Sequence, residues 1–122
     1  MVRIGYMGGT DSLLLTKISA AGMETIPVGN GWDNHGLYIG HINAGDGFNA
    51  IVGFLHKFLP AKDSALTPVD LLKPCKIHEI PVFVIVEDID REKARNLLGD
   101  VGANVKLVDP RKIADEIMFL AK

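Results

Sequence analysis

The heptapeptide IPVFVIV, residues 80–86, is continuously apolar and rich in β-branched side chains. A run of this length without polar alternation predicts a strand covered on both faces. The acidic stretch EDID, residues 87–90, follows. A helix is then expected through Leu98, with Asp90 as its cap and Ala94, Leu97 and Leu98 turned inward. ANVKLV, residues 103–108, reads as another strand, and Asp109-Pro110 opens a last helix carrying Ile113, Ile117 and Leu120 inward. Alternation of this kind argues for a parallel sheet with helices on both faces.

The same alternation begins the chain. VRIGYM, residues 2–7, predicts a strand ending at Gly8-Gly9, and Leu14, Leu15, Ile18 and Ala21 then recur at helical spacing. Thr10 or Asp11 caps that helix and Gly22 ends it. ETIPV, residues 24–28, is a second strand, followed by a glycine-rich loop at 29–45. A helix is expected from Asp46 to Leu59. Phe48, Ile51, Val52, Leu55 and Leu59 mark one face, Phe54 and Phe58 widen it, and Pro60 stops it. SALTPVDLLKP, residues 64–74, predicts a single helical turn, with Thr67 as cap, Pro68 at the first position and Pro74 closing it. CKIHEI, residues 75–80, is where a fifth strand would hide.

These elements predict one three-layer α/β domain over residues 1–122, Rossmann-like or flavodoxin-like. About four mostly parallel strands are expected, with the first and third central. A length of 122 residues, 48% hydrophobic and 23% charged, fits one globular domain. A net charge of -2 and 7% aromatic residues give no electrostatic or stacking case for nucleic acid. No stretch approaches the roughly 20 apolar residues that span a bilayer, and MVRIGYMGG lacks a signal-peptide core, so a cytoplasmic protein without membrane partners is expected. A mean hydropathy of +0.20 is high for a small domain and points to a buried subunit interface, most simply a homodimer. Cys75 is the only cysteine, which excludes an internal disulfide and a cysteine-based zinc site.

Ligands of open α/β sheets bind beyond the carboxyl ends of the strands. Three connections there are expected to converge: MGGTDS at residues 7–12, loop 29–45, and EDID at 87–90. Gly8 and Gly9 let the backbone turn sharply toward a ligand, the following helix N-terminus faces an anion, and Thr10 and Ser12 add hydroxyls. The alternative is that Gly8-Gly9 only turns the chain and Asp11 only caps. Loop 29–45 is long for such a connection, and Trp32, Leu37, Tyr38 and Ile39 need something to pack on.

Three local resemblances bear on this reading. Gly8, Gly9, Asp11 and Ser12 resemble the Ser-Gly-Gly-x-Asp-Ser loop of N-type ATP pyrophosphatases, with Met7 in place of the leading Ser. That likeness implies nucleotide phosphate binding. Ala44, Gly45 and Asp46 look like the Gly-Ala-Gly-Asp segment of ribokinase-family sugar kinases, with Asn43 in place of the first Gly. That likeness implies an anion hole at a helix N-terminus and Asp46 as base, against the plainer reading of Asp46 as a cap. Asp33 and His35 resemble part of the Asp-x-His-x-x-Gly loop of cobalamin-binding domains, but Tyr38 stands at the Gly position. The first two families are mutually incompatible. What they share is an anion at a helix N-terminus.

The reading that follows is a protein binding a nucleotide or other phosphorylated metabolite, with or without a divalent metal. Gly8, Gly9, Thr10, Asp11, Ser12, Trp32, Asp33, His35, Tyr38, Gly45 and Asp46 are the expected ligand-binding residues. His35, His41 and Asp33 are the candidates for acid–base chemistry, imidazole being the side chain that titrates nearest neutral pH. Asp33, His35, His41, Asp46, Glu87 and Asp88 are the candidate metal ligands, although no two histidines fall at a helical i, i+4 spacing. No activated nucleophile is visible beside Ser12 or Cys75, and the sequence assigns no reaction. The rival reading is a non-catalytic oligomeric module whose 29–58 region, with Phe54 and Phe58, forms an interface.

Overall fold

The computed structural model describes residues 1–121. Six strands form one all-parallel sheet: β1 (Arg3–Tyr6), β2 (Glu24–Gly29), β3 (Leu37–Tyr38), β4 (Ala50–Phe54), β5 (Val82–Ile85) and β6 (Val105–Val108). Their order is β3-β2-β1-β4-β5-β6, the Rossmann order. Helices α1 (Ser12–Ala20), α2 (Pro68–Ile77), α3 (Arg91–Leu98) and α4 (Ile113–Met118) cover the two faces. The expected α/β class is therefore observed, with six strands in place of four.

The central strands alternate between two cores. Ala50 and Val52 of β4, with Phe83 and Ile85 of β5, pack with Leu14 and Ile18 of α1 and Ile113 and Ile117 of α4. Ile51 of β4, with Val82 and Val84 of β5, packs instead with Leu71, Leu72 and Cys75 of α2 and Leu98 of α3. All four residues of β5 are buried, as its unbroken apolar sequence demands. Burying each such side chain contributes roughly 1.5–3 kcal/mol.

The structure corrects the expected helix over 46–59. Residues 50–54 form β4, followed by a 3-10 turn at Leu55–Phe58. β4 inserts between the two strands expected to be central neighbours, pairing with β1 on one side and β5 on the other. Gly53 permits this packing, because a Cβ there would lie 2.5 Å from Met7 Cγ. A short apolar run satisfies both periodicities, and burial on two faces decides for the strand.

α2 is a ten-residue helix, not a single turn, and it runs through Pro74 and the stretch where a fifth strand was sought. Its start is as expected: Thr67 Oγ1 accepts from Asp70 N, with Pro68 in the first position. One inward assignment and one helix start also change. Leu97 is 49% exposed while Ala94 and Leu98 are buried, and α4 begins at Ile113, beyond Asp109-Pro110. Asp90 provides no side-chain cap to α3. Among the described residues no helix is long and apolar enough to cross a membrane.

Candidate functional site

In this strand order the chain leaves β1 toward β2 and β3, then returns to the other side of β1 as β4. The chain therefore leaves β1 and β4 in opposite directions, and a switch point of this kind is where open α/β sheets bind ligands. The loops from β1, β2 and β4 meet there.

Asn30 ties two of them together. It is 1% exposed, its Nδ2 donates to the Lys57 carbonyl (3.1 Å), and its Oδ1 accepts from the backbone N–H of Trp32 and Asp33. An asparagine just after a strand folds the chain back on itself in this way. The fold-back is tight. Gly36 has φ +69°, and a Cβ there would lie 2.1 Å from the Pro27 carbonyl oxygen. A Cβ at Gly29 would lie 2.3 Å from the His35 carbonyl oxygen. Part of the glycine content of loop 29–45 thus serves a return that brings Leu37 level with Val28 in the sheet.

That return places Asp33 and His35 over the first loop. A Cβ at Gly8 would lie 3.2 Å from Asp33 Oδ2 and 3.4 Å from His35 Cγ, so this buried glycine is the floor of the cluster. Asp33 Oδ2 accepts from Lys57 Nζ at 3.1 Å, with side-chain exposures of 18% and 23%. Asp33 Oδ1 is buried and has no hydrogen-bond partner. His35 Nδ1 lies 2.8 Å from the Val28 carbonyl oxygen. A carbonyl only accepts, so Nδ1 carries a proton, and in the neutral ring Nε2 is the basic nitrogen. The Tyr6 ring meets the imidazole edge-on at 5.4 Å. Gly9, at φ +79°, is exposed, and Lys57 Cε is the nearest group to a Cβ there, at 3.8 Å.

The other expected residues fall in different places. Asp11 caps α1, its Oδ1 accepting from Leu13 N, and Thr10 Oγ1 donates to the Met7 carbonyl at 2.7 Å. Ser12 is the exposed first residue of α1. Trp32 is 47% exposed. Tyr38 packs over Gly31 and Gly40 and meets His41 edge-on at 4.7 Å, within its own edge of the sheet. Gly45 and Asp46 lie in a 3-10 turn ahead of β4, at the opposite end of the sheet from Gly8. Asp46 Oδ2 accepts from Asn43 N, a capping role, and no α-helix starts there. The expected second helix N-terminus is thus absent, and with it the context of the sugar-kinase likeness.

Glu87 and Asp88 follow β5, at the same carboxyl edge of the sheet as loops 7–12 and 30–36 but two strands away from β1. They line a separate cavity of about 320 Å³ with Ile89, Asp109, Pro110 and Arg111, beyond β5 and β6. Asp109 is its buried centre, accepting from Asp88 N (3.1 Å), Arg111 N (2.9 Å) and the Arg111 guanidinium (2.8 Å). The Arg111 side chain and backbone hold that carboxyl well below the usual carboxylate range. A larger cavity of about 510 Å³ runs along the outer edge of β6, away from the switch point. Cys75 is buried on the inner face of α2, and that burial pushes its thiol up to about 11, away from the reactive thiolate form. Among the described residues no three His, Cys, Asp or Glu groups come together as a metal site.

Asn30 and Lys57 were not among the residues singled out from the sequence. Asn30-Gly31 is a turn signal that marks the return, and Lys57 becomes legible only once residues 50–54 are read as a strand. No protein-family model matches the chain, and no curated protein is significantly similar to it.

Proposed function

We propose that this protein binds a nucleotide or another phosphorylated metabolite at the carboxyl edge of its sheet, between β1 and β4. The observation that carries the reading is Lys57: the loop after β4 sets its side chain beside Gly9, at the switch point of a Rossmann-ordered sheet. An ammonium has three donors, and its bond to Asp33 uses one. Gly9, exposed and without a side chain, leaves room for an anion to approach the backbone. His35 is the base best supported for any chemistry there, through its ordered Nδ1. A cytoplasmic setting, without nucleic-acid or membrane partners, accords with this reading.

Calorimetric titration with AMP and with inorganic phosphate tests it. Binding to the wild-type protein, weakened about tenfold or more in Lys57→Met and retained in Lys57→Arg, is the expected result. Absence of binding of both probes at millimolar concentration would overturn it.

A second reading, a non-catalytic homodimer built on the 29–58 region, is favoured by one observation. Trp32 and Leu37 are 47% and 42% exposed, next to and on the edge strand β3. Phe58 is fully buried and Phe54 half-buried against the α1–α4 core, so the apolar surface of this region rests on Trp32 and Leu37. A native mass spectrum of a Trp32→Ala, Leu37→Ser variant separates the readings, since only this one requires a dimer that the double change splits.

A further inference from the structure

We propose a second binding site, for an aminopurine base, in the cavity of about 510 Å³ along β6, where two backbone groups of this edge strand read the ring. β6 ends the sheet and has a neighbour on one side only. It pairs with β5 through alternate residues: Val82 N donates to the Asn104 carbonyl and Val86 N to the Val108 carbonyl. The residues between, Val105 and Leu107, turn their backbone N–H and C=O groups to the open edge. Two of these four groups are satisfied from within the chain. Val105 N donates to the Gly102 carbonyl at 3.2 Å, and Arg91 Nη1 donates to the Leu107 carbonyl at 3.0 Å. The Val105 carbonyl and the Leu107 N–H remain, one acceptor and one donor on the same edge, and both residues line the cavity.

What can serve those two groups decides the ligand. A strand of another chain would run past Val105 and Leu107, where the Gly102 carbonyl and the Arg91 guanidinium hold the positions its backbone needs. In a two-fold pairing with a second copy, the exposed Lys106 between them would also face its own like charge. A flat ring with adjacent donor and acceptor needs only the gap. In adenine the 6-amino group donates to the Val105 carbonyl, and N1 accepts from the Leu107 N–H. The walls suit such a ring: α3 and α4 flank the strand on opposite faces, and buried Leu98 and Val101 add apolar surface. Arg91 is paired with Asp88. The other charged lining residues, Arg95, Lys106, Asp100 and Glu116, are exposed and cancel in sign, which suits an uncharged base over an ion. The volume is ample for a small ligand. This edge lies three strands from β1, so the site is independent of the phosphate reading above.

Calorimetry and amide NMR with adenosine, purine riboside and 1-deazaadenosine test the proposal on the wild-type protein. Purine riboside lacks the amino donor and 1-deazaadenosine the ring acceptor. Adenosine should bind, each analogue about tenfold more weakly, and adenosine should move the Leu107 amide resonance. Leu107→Pro removes that N–H and no ladder bond, and should weaken adenosine about tenfold or more. Should Leu107→Pro fail to fold, the analogue series and the Leu107 amide decide on the wild type. No adenosine binding at millimolar concentration would overturn the proposal, as would equal affinity for the three compounds. Binding that leaves the Leu107 amide unmoved would overturn it too, by placing the base elsewhere. Adenosine carries no phosphate, so these outcomes leave the switch-point site to its own titration with inorganic phosphate.

Discussion

At Asp109 one residue controls how two loops end. Its carboxylate is 1% exposed and gathers the Asp88 amide, the Arg111 amide and the Arg111 guanidinium, which itself lies 82% exposed. The folded protein therefore favours the ionised form, and the pKa lies below that of an unfolded aspartate. A depressed carboxyl contributes stability above the unfolded value of about 3.9, and loses it as pH falls through the folded value. Urea unfolding midpoints should accordingly fall between pH 4 and pH 2 more steeply in wild type than in Asp109→Asn. Parallel curves for the two proteins would remove Asp109 as the source. Sequence reading took Asp109 for a helix start because Asp-Pro commonly is one. What it lacked was the partner: Arg111 lies two residues on, but the Asp88 amide arrives from the turn after β5.

Among the elements, α2 shows a local signal being overridden. Thr67, Pro68 and Asp70 start it as the sequence predicts, with reciprocal bonds between Thr67 and Asp70. Pro74 should stop it, since a proline inside a helix has no N–H to return to the carbonyl four residues back. The helix continues because Leu71, Leu72 and Cys75 are all fully buried against the sheet, and that burial outweighs one missing bond. Pro74→Ala should therefore raise stability, by about 1–2 kcal/mol after allowing for the looser unfolded chain. Urea denaturation measures it, and a lower midpoint would show that the ring's own packing matters more than the bond. Residues 50–54 teach the complementary lesson. Phe48, Ile51, Val52 and Leu55 fit a helical stripe on paper, but AIVGF is short, apolar throughout and fitted by Gly53 to Met7. Only the neighbouring strands make that fit visible. The elements read correctly are β1, α1, β2, β5, α3, β6 and α4, where β-branched runs or helical spacing agree with the turn residues that flank them. In the candidate site, Gly8, Gly9, Asp33 and His35 were legible from glycines and loop length. Lys57 was hidden behind the misread strand.

For the whole molecule, the place of β4 decides where stability resides. β4 is the one strand that joins the β1–β2–β3 half of the sheet to the β5–β6 half, and it packs into both cores. Its fully buried Ile51 pairs with Gly5 on one side and with Val82 on the other. Truncating it removes apolar contact and leaves a cavity between rigid neighbours. Ile51→Ala should cost about 2–5 kcal/mol. Leu37, 42% exposed on the two-residue edge strand β3, has little to lose, and Leu37→Ala should stay within about 1 kcal/mol of wild type. Both variants should keep the wild-type dependence on urea concentration, because a sheet joined at its centre unfolds as one unit. If Ile51→Ala instead produced two separate transitions, the β1–β3 and β5–β6 halves would be independently stable. The switch point between β1 and β4 would then be a seam between two folding units. Pulsed hydrogen exchange would show it as unequal protection of Val28 and Val84, which lie on opposite sides of that seam.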